Sequence, residues 1–320
     1  MRIVITDCDH PSIDEELAVA ATHGATVELR QCRTEQDVID AGRDADGLVV
    51  QYAPITEAVL SALTGLKAVS RYGVGYDTVD VPAATRHGVV VSNVPDYGTE
   101  DVSDHAIALA LALERGLVRF DRRYRGGEVD LAPVRPLHRT VGRTFGIIGA
   151  GLIGSATARK ARALGYTVIA HDPGLVGRSE TSGGVPLLGL AEVLAQSDVV
   201  SLHVPLSDDT HHLIDDETLG GMKRGAYLVN TCRGGVVDTD AVVGALEAGH
   251  LRGAGLDVFE TEPLPPHHPL LEQENAILTP HVAWYSEESY SELKTRAMEN
   301  AVEACAGREP RNVVNREVLA

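Results

Sequence analysis

Thr144–Asp172, TFGIIGAGLIGSATARKARALGYTVIAHD, decides the fold. The apolar run Phe145 to Ile148 predicts a buried strand. It breaks at Gly149-Ala150-Gly151-Leu152-Ile153-Gly154, a GxGxxG turn that opens into a helical pattern from Ile153 to Leu164. Gly165 stops that helix, as glycine commonly does. A second strand, Tyr166 to Ala170, leads to Asp172, eighteen residues past Gly154. Each glycine has a mechanical reason. Gly149 permits the tight turn, Gly151 lets a pyrophosphate approach the backbone, and Gly154 lets helix and strand pack closely. The first helical amides, those of Leu152 and Ile153, lack partners within the helix and lie at its positive dipole end. Asp172 can accept hydrogen bonds from adenosine ribose hydroxyls and repels a 2′-phosphate, which predicts NAD over NADP. Arg178 is the nearby cation that works against that preference. A GxGxxG alone is weak; here the strand before, the helix after, the second strand and its acidic tip agree.

Working outward, 320 residues suit about two domains. From residue 2, RIVITD predicts a first strand and the pattern through Ala21 a helix. Strands recur at Thr26–Leu29, Gly47–Tyr52, Ala68–Ser70 and Val89–Ser92, with amphipathic stretches between them, the spacing of parallel βαβ units. Beyond Asp96, Thr99 is positioned as an N-cap for a helix whose AIALALALE is apolar on nearly every face, which suits a domain-crossing or dimer-interface position. Arg119 to Arg143 is charged and proline-interrupted and predicts an exposed arm or loop. After the glycine turn, further strands are expected at Val199–Val204, Ala226–Asn230, Gly255–Val258 and Ala276–Leu278, then a long helix from Ser286 to Cys305. The short tail packs best on the first block. The expected architecture is α/β in two domains: a flavodoxin-like substrate domain, residues 1–98 plus 286–320, with a Rossmann NAD-binding domain, 99–285, inserted in it.

A net charge of −18 speaks against nucleic acid or an anionic membrane as partner, since both need a basic footprint. Any anionic substrate must then be held by a few local donors. Cys8, Cys32, Cys232 and Cys305 show no CxxC pair and fit reduced thiols in a cytoplasm. His211-His212 and His267-His268 lack a third ligand at metal spacing, and no metal is expected. MRIVITDCD becomes charged within seven residues, so no signal peptide is expected, and no apolar run reaches membrane-spanning length.

Ligands bind at the carboxyl ends of the strands of an open parallel sheet. Such ends deliver Arg233, Asp257, Glu262 and His281. Histidine suits proton transfer near neutral pH, a neighbouring glutamate would stabilise its imidazolium, and arginine offers planar bidentate donors to a 2-keto acid. Alone, each has a bland reading: a loop histidine, a surface arginine, a solvated glutamate, an aspartate satisfying backbone donors. Only their joint placement points to hydride transfer at a carbonyl.

The segments VNTCRGGVVD (229–238), GLDVFETEPLP (255–265) and TPHVAWYSEE (279–288), with the GxGxxG, closely resemble the D-isomer-specific 2-hydroxyacid dehydrogenases across nearly the whole chain. Trp284, continued as Tyr285-Ser286-Glu287, is most similar to their C-terminal-binding-protein branch. The resemblance implies that Arg233 binds substrate, Glu262 is the acidic partner and His281 gives and takes the proton. It implies contacts along the dinucleotide from His203, Val204, Pro205, Thr231, Cys232, Arg233, Asp257, His281 and Trp284. Arg71-Tyr72-Gly73-Val74-Gly75-Tyr76-Asp77 is similar to the family's RxGxGxD turn, whose amides at Val74 and Gly75 would hold a carboxylate as an anion nest. Tyr52, Tyr76 and Trp284 are candidates for lining the substrate pocket, and their bulk hints at a larger or aromatic 2-keto acid. Closure of the domains over the substrate and a homodimer built through the Rossmann domains are also implied.

The resemblance thus predicts NAD-dependent interconversion of a 2-keto acid and a D-2-hydroxy acid. The glutamate at 262 speaks against a formate dehydrogenase. The Val74-Gly75-Tyr76 loop lacks the lysine expected of a phosphite-oxidising relative; a phosphoglycerate dehydrogenase with a regulatory domain would be longer, and a short form stays an alternative. The rival from another class is an NAD(H)-sensing, corepressor-like binding protein, which would not need the complete arginine–glutamate–histidine set.

Overall fold

The computed structural model describes residues 1–175 and 177–319. It divides into two compact units, Met1–Gly98 with Ser286–Ala320, and Thr99–Tyr285.

In the first unit, five parallel strands, β1 (Arg2–Ile5), β2 (Thr26–Leu29), β3 (Gly47–Val50), β4 (Ala68–Arg71) and β5 (Val90–Ser92), lie in the order β2-β1-β3-β4-β5. This is the flavodoxin-like order. Helices α1 (Asp14–Thr22), α2 (Glu35–Gly42), α3 (Glu57–Ala62) and α4 (Val81–Arg86) connect them. Val38, Leu48, Val50, Ile55, Leu60 and Val69 form one core beside this sheet. The tail returns here: Val314 donates its N–H to Val91 O at 2.8 Å, extending the β5 edge.

The second unit opens with α5 (Thr99–Arg115) and α6 (Leu117–Arg125). Its strands are β6 (Thr144–Ile148), β7 (Thr167–His171), β8 (Val199–Leu202), β9 (Ala226–Asn230), β10 (Leu251–Leu256) and β11 (Ala276–Leu278). Between them run α7 (Leu152–Ala163), α8 (Leu190–Gln196), α9 (Asp216–Gly220) and α10 (Thr239–Glu247), and α11 (Glu287–Cys305) belongs to the first unit. The sheet is parallel, in the order β11-β10-β9-β8-β6-β7. The chain leaves β6 toward β7 and then crosses to β8 on the other side, so the topological switch lies at the carboxyl end of β6. The glycine turn stands there.

Three expectations need correction. The strand expected at Gly255–Val258 is β10, beginning at Leu251. A Cβ at Gly253 or Gly255 would come within 3.0 Å of Leu113 or Leu109, so these glycines let α5 lie close on the sheet. The arm from Arg119 contains a helix, α6, in a stretch where charge suggested a loop; Arg125 and Asp121 pair at 2.8 Å across one of its turns. Thr99 is the first residue of α5 and not its cap. The apolar α5 is buried within its own unit, where Ala106, Leu109, Ala110 and Leu113 pack with Phe145, Ile147, Tyr227 and Val229.

Candidate active site

The glycine turn behaves as three separate constraints. Gly149 has φ +92°, and a Cβ there would meet His203 O at 2.6 Å. A Cβ at Gly154 would lie 1.9 Å from Gly149 O, so only glycine lets α7 pack against its own turn. Gly151 differs: a Cβ there meets nothing within 4 Å. No protein group forbids a side chain at Gly151, so the open space above it is where a ligand's pyrophosphate would lie. Gly151 also precedes α7 without any side-chain cap, leaving the first amides of the helix to an external acceptor.

Asp172, just past β7, is fixed in place. Its Oδ2 accepts from Ala150 N at 2.7 Å and its Oδ1 from Gly174 N at 2.8 Å, which ties the acidic tip to the glycine turn. Each oxygen keeps a second lone pair for a ribose hydroxyl. At the ends of β8 and β9, His203 Nδ1 and Thr231 Oγ1 are buried with no hydrogen-bond partner among the described residues. Buried orphans of this kind are the atoms a bound ligand satisfies. Desolvation pushes the His203 imidazole down to about 3, so it is neutral, and Ser201 Oγ lies 2.9 Å from its Nε2. Val204 is buried and Pro205 exposed beside it. These groups fit a dinucleotide.

The turn after β9 is clasped by Asn230, whose Nδ2 donates to Arg233 O at 2.9 Å and whose Oδ1 accepts from Cys232 N at 3.0 Å. Burial pushes the Cys232 thiol up to about 11, which leaves it inert as a nucleophile. Gly234 then touches the loop after β10: a Cβ there would overlap Phe259 C at 1.9 Å. That approach brings Arg233 into the electrostatic surroundings of Glu262.

Glu262 Oε1 accepts from Phe259 N at 3.0 Å, and its Oε2 lies 2.7 Å from His281 Nδ1. Partial burial pushes the Glu262 carboxyl up. The hydrogen bonds from His281 and Phe259, and the charges of His281 and Arg233, outweigh it and hold the group below its ordinary value. An ionised Glu262 only accepts, so the proton on His281 Nδ1 is assigned to the shared bond. His281 itself has φ +53°, unusual without glycine. Its N–H donates to Asp257 O at 2.8 Å, which ties the turn after β11 to the end of β10.

Asp257 is fully buried and serves this turn. Its Oδ1 accepts from Val282 N at 3.0 Å and from Thr279 Oγ1 at 2.5 Å, and its Oδ2 from Ala283 N at 2.9 Å. Its carboxylate thus satisfies the donors of the turn that carries His281. Trp284 closes the turn by donating Nε1–H to His281 O at 2.9 Å. Sequence reading missed His105 on α5, whose Nε2 lies 3.0 Å from Thr279 Oγ1. The available signal was a polar residue on the helix face that also carries Val102 and Leu109, both buried.

The first unit carries the other four candidates. Val94 N donates to Gly73 O at 2.9 Å, and Asn93 Nδ2 to Val74 O at 2.6 Å. A trans peptide points its N–H opposite its C=O. With those two carbonyls turned inward, the amides of Val74 and Gly75 point the other way, side by side, as an anion nest requires. Tyr52 and Tyr76 are among the exposed large side chains of the unit.

Residues 107–283 match the family described as D-isomer specific 2-hydroxyacid dehydrogenase, NAD binding domain. The chain belongs to that family. It is an NAD-dependent D-2-hydroxyacid dehydrogenase. The glyoxylate reductase of Korarchaeum cryptofilum is 44% identical over 286 residues, 88% of this chain and 86% of that one. The D-3-phosphoglycerate dehydrogenase of Methanocaldococcus jannaschii is 35% identical over 317 residues, 98% of this dehydrogenase but 59% of that protein. A structure of D-lactate dehydrogenase from Aquifex aeolicus, complexed with NAD and lactic acid, is 30% identical and superposes with a TM-score of 0.85 over 98% of this chain and 99% of that one. No helix of the described residues is long and apolar enough to cross a membrane, and no group of three or more His, Cys, Asp or Glu among them could hold a metal ion.

Proposed function

We propose that this dehydrogenase reduces a small 2-keto acid of the glyoxylate class to its D-2-hydroxy acid, with His281 as proton donor, Glu262 as its partner and Arg233 as the substrate-binding cation. The observation that carries the assignment of roles is the 2.7 Å His281–Glu262 pair at the end of β11. Bound NADH supplies the hydride. With Nδ1–H directed at Glu262, Nε2 is the ring atom that gives the proton to the carbonyl oxygen and takes it back in the reverse direction. Glu262 fixes the orientation of the ring through the bond to Nδ1. Arg233 lowers the cost of the charge that develops on that oxygen. The amides of Val74 and Gly75 hold the carboxylate, which suits a protein whose overall field repels anions.

The glyoxylate reductase name of the relative supports a small substrate, against the larger acid that Tyr52, Tyr76 and Trp284 suggested. The enzyme names among the relatives give the corepressor-like reading no support.

The test is NADH oxidation with glyoxylate, pyruvate, hydroxypyruvate and branched and aromatic 2-keto acids, using His281→Ala and Arg233→Ala as controls. Turnover greatest on glyoxylate and lost in both variants is the expected result. A preference for aromatic acids would overturn the small-substrate reading, and turnover surviving in His281→Ala would overturn the proton role.

A further inference from the structure

We infer that Asn93, backed by Asn300 on α11, is a positioning residue for the substrate carboxylate; this rests on the reading of Val74 and Gly75 as its donors. A peptide is a rigid plane, so which face of the loop carries N–H groups is decided by which way the carbonyls point. A peptide ending at glycine flips easily, because glycine accepts both outcomes. Flipped, the Val74–Gly75 peptide would present a carbonyl oxygen to the carboxylate and repel it.

Two linked anchors oppose the flip. Asn93 Nδ2 holds Val74 O at 2.6 Å, which sends the Gly75 amide outward. Asn300 Nδ2 donates to Asn93 O at 3.1 Å, and the N–H of that same Asn93–Val94 peptide holds Gly73 O at 2.9 Å, which sends the Val74 amide outward. Asn93 and Asn300 are 9% and 3% exposed, so water competes poorly for these bonds. Accepting a bond from Asn300 also polarises the Asn93–Val94 amide and makes it a stronger donor. The direction of both nest amides is therefore set from within the first unit by α11.

The experiment compares the wild type with Asn93→Ala and Asn300→Leu. It measures glyoxylate kinetics, NADH affinity, and the ¹⁵N–¹H resonances of Val74 and Gly75 as oxamate is added to the NADH complex. One lost neutral hydrogen bond predicts a rise of about five- to tenfold in glyoxylate KM for Asn93→Ala, with kcat within about twofold and NADH affinity unchanged. Asn300→Leu should shift KM the same way by less, and it keeps the test alive if Asn93→Ala fails to fold. Weaker oxamate shifts at Val74 and Gly75 in the variants support the inference. Unchanged KM and oxamate shifts in both variants overturn it, as does NADH affinity falling in step with KM, the mark of a general loss of structure. If the wild-type resonances of Val74 and Gly75 ignore oxamate, the carboxylate reading itself fails, and this inference with it.

Discussion

His281 Nδ1 lies 2.7 Å from Glu262 Oε2, and the same carboxylate is held from its other oxygen by the Phe259 N–H at 3.0 Å. The glutamate is thus fixed by the backbone before it meets the histidine. His281→Ala, lacking any proton donor, should lose about 10²- to 10⁴-fold in kcat. Glu262→Gln keeps the shape but removes the charge, and losing one charged hydrogen bond predicts a loss of about ten- to a hundredfold. Steady-state rates on glyoxylate decide it; equal losses in both variants would mean that Glu262 does more than support the histidine.

The same pair has a pH signature. The folded Glu262 carboxyl is held below its ordinary 4.5, so its ionised form is favoured in the folded state. That contribution is complete above 4.5 and is lost as pH falls through the folded value. The stability gap between wild type and Glu262→Gln should therefore be constant near neutrality and close on acidification. Urea unfolding across that range reads it, and a gap that widens in acid would refute the sign.

Most of this site was legible because strand ends and glycines leave a mark on sequence. The GxGxxG, Asp172 and the arginine–glutamate–histidine set all follow short apolar runs. What sequence hid is the contact map between loops. The Val282 and Ala283 amides bond the Asp257 carboxylate, and nothing in the spacing of 257 and 283 announces that. His105 acts from a helix more than 170 positions before its partner Thr279. The first half of β10 went unseen because the reason for its glycines, α5, lies far away in sequence.

The three turn glycines should separate cleanly when each is replaced by alanine. Gly154→Ala forces a Cβ into Gly149 O, and Gly149→Ala is strained at φ +92° besides meeting His203 O. Both should destabilise the protein by about 2 kcal/mol or more. Gly151→Ala meets no protein atom and should melt like wild type. Its methyl group would stand in the open space expected to take the pyrophosphate, so NADH affinity should fall steeply. Calorimetric melting paired with NADH titration tests this; a Gly151→Ala protein that binds NADH normally would remove the argument that the open space is a ligand's.

The stretch from α6 to the start of β6 exposes apolar side chains unusually freely: Tyr124 is 72% exposed, Val129 82% and Val141 68%. Isolated exposed apolar groups are ordinary, but several within one arm mark an interaction surface. A second copy of the chain is the expected occupant, giving a dimer of about 68 kDa from 34.0 kDa chains. Light scattering after gel filtration should find that dimer, and Val129→Glu with Leu131→Glu should dissociate it. A monomeric wild type would end the proposal.

Asp172 should set cofactor choice in a way its two bonds make testable. Asp172→Ser removes the charge that repels a 2′-phosphate, which favours NADPH. It also releases the Ala150 and Gly174 amides that the carboxylate now holds, which loosens the glycine turn for either cofactor. The variant should therefore lose NADH affinity by about tenfold or more, while the NADH-to-NADPH ratio of kcat/KM collapses and NADPH gains less than NADH loses. Were the carboxylate only a charge facing the ribose, the gain and the loss would be comparable. Measuring both cofactors on the same variant distinguishes a selectivity residue from one that also builds the turn.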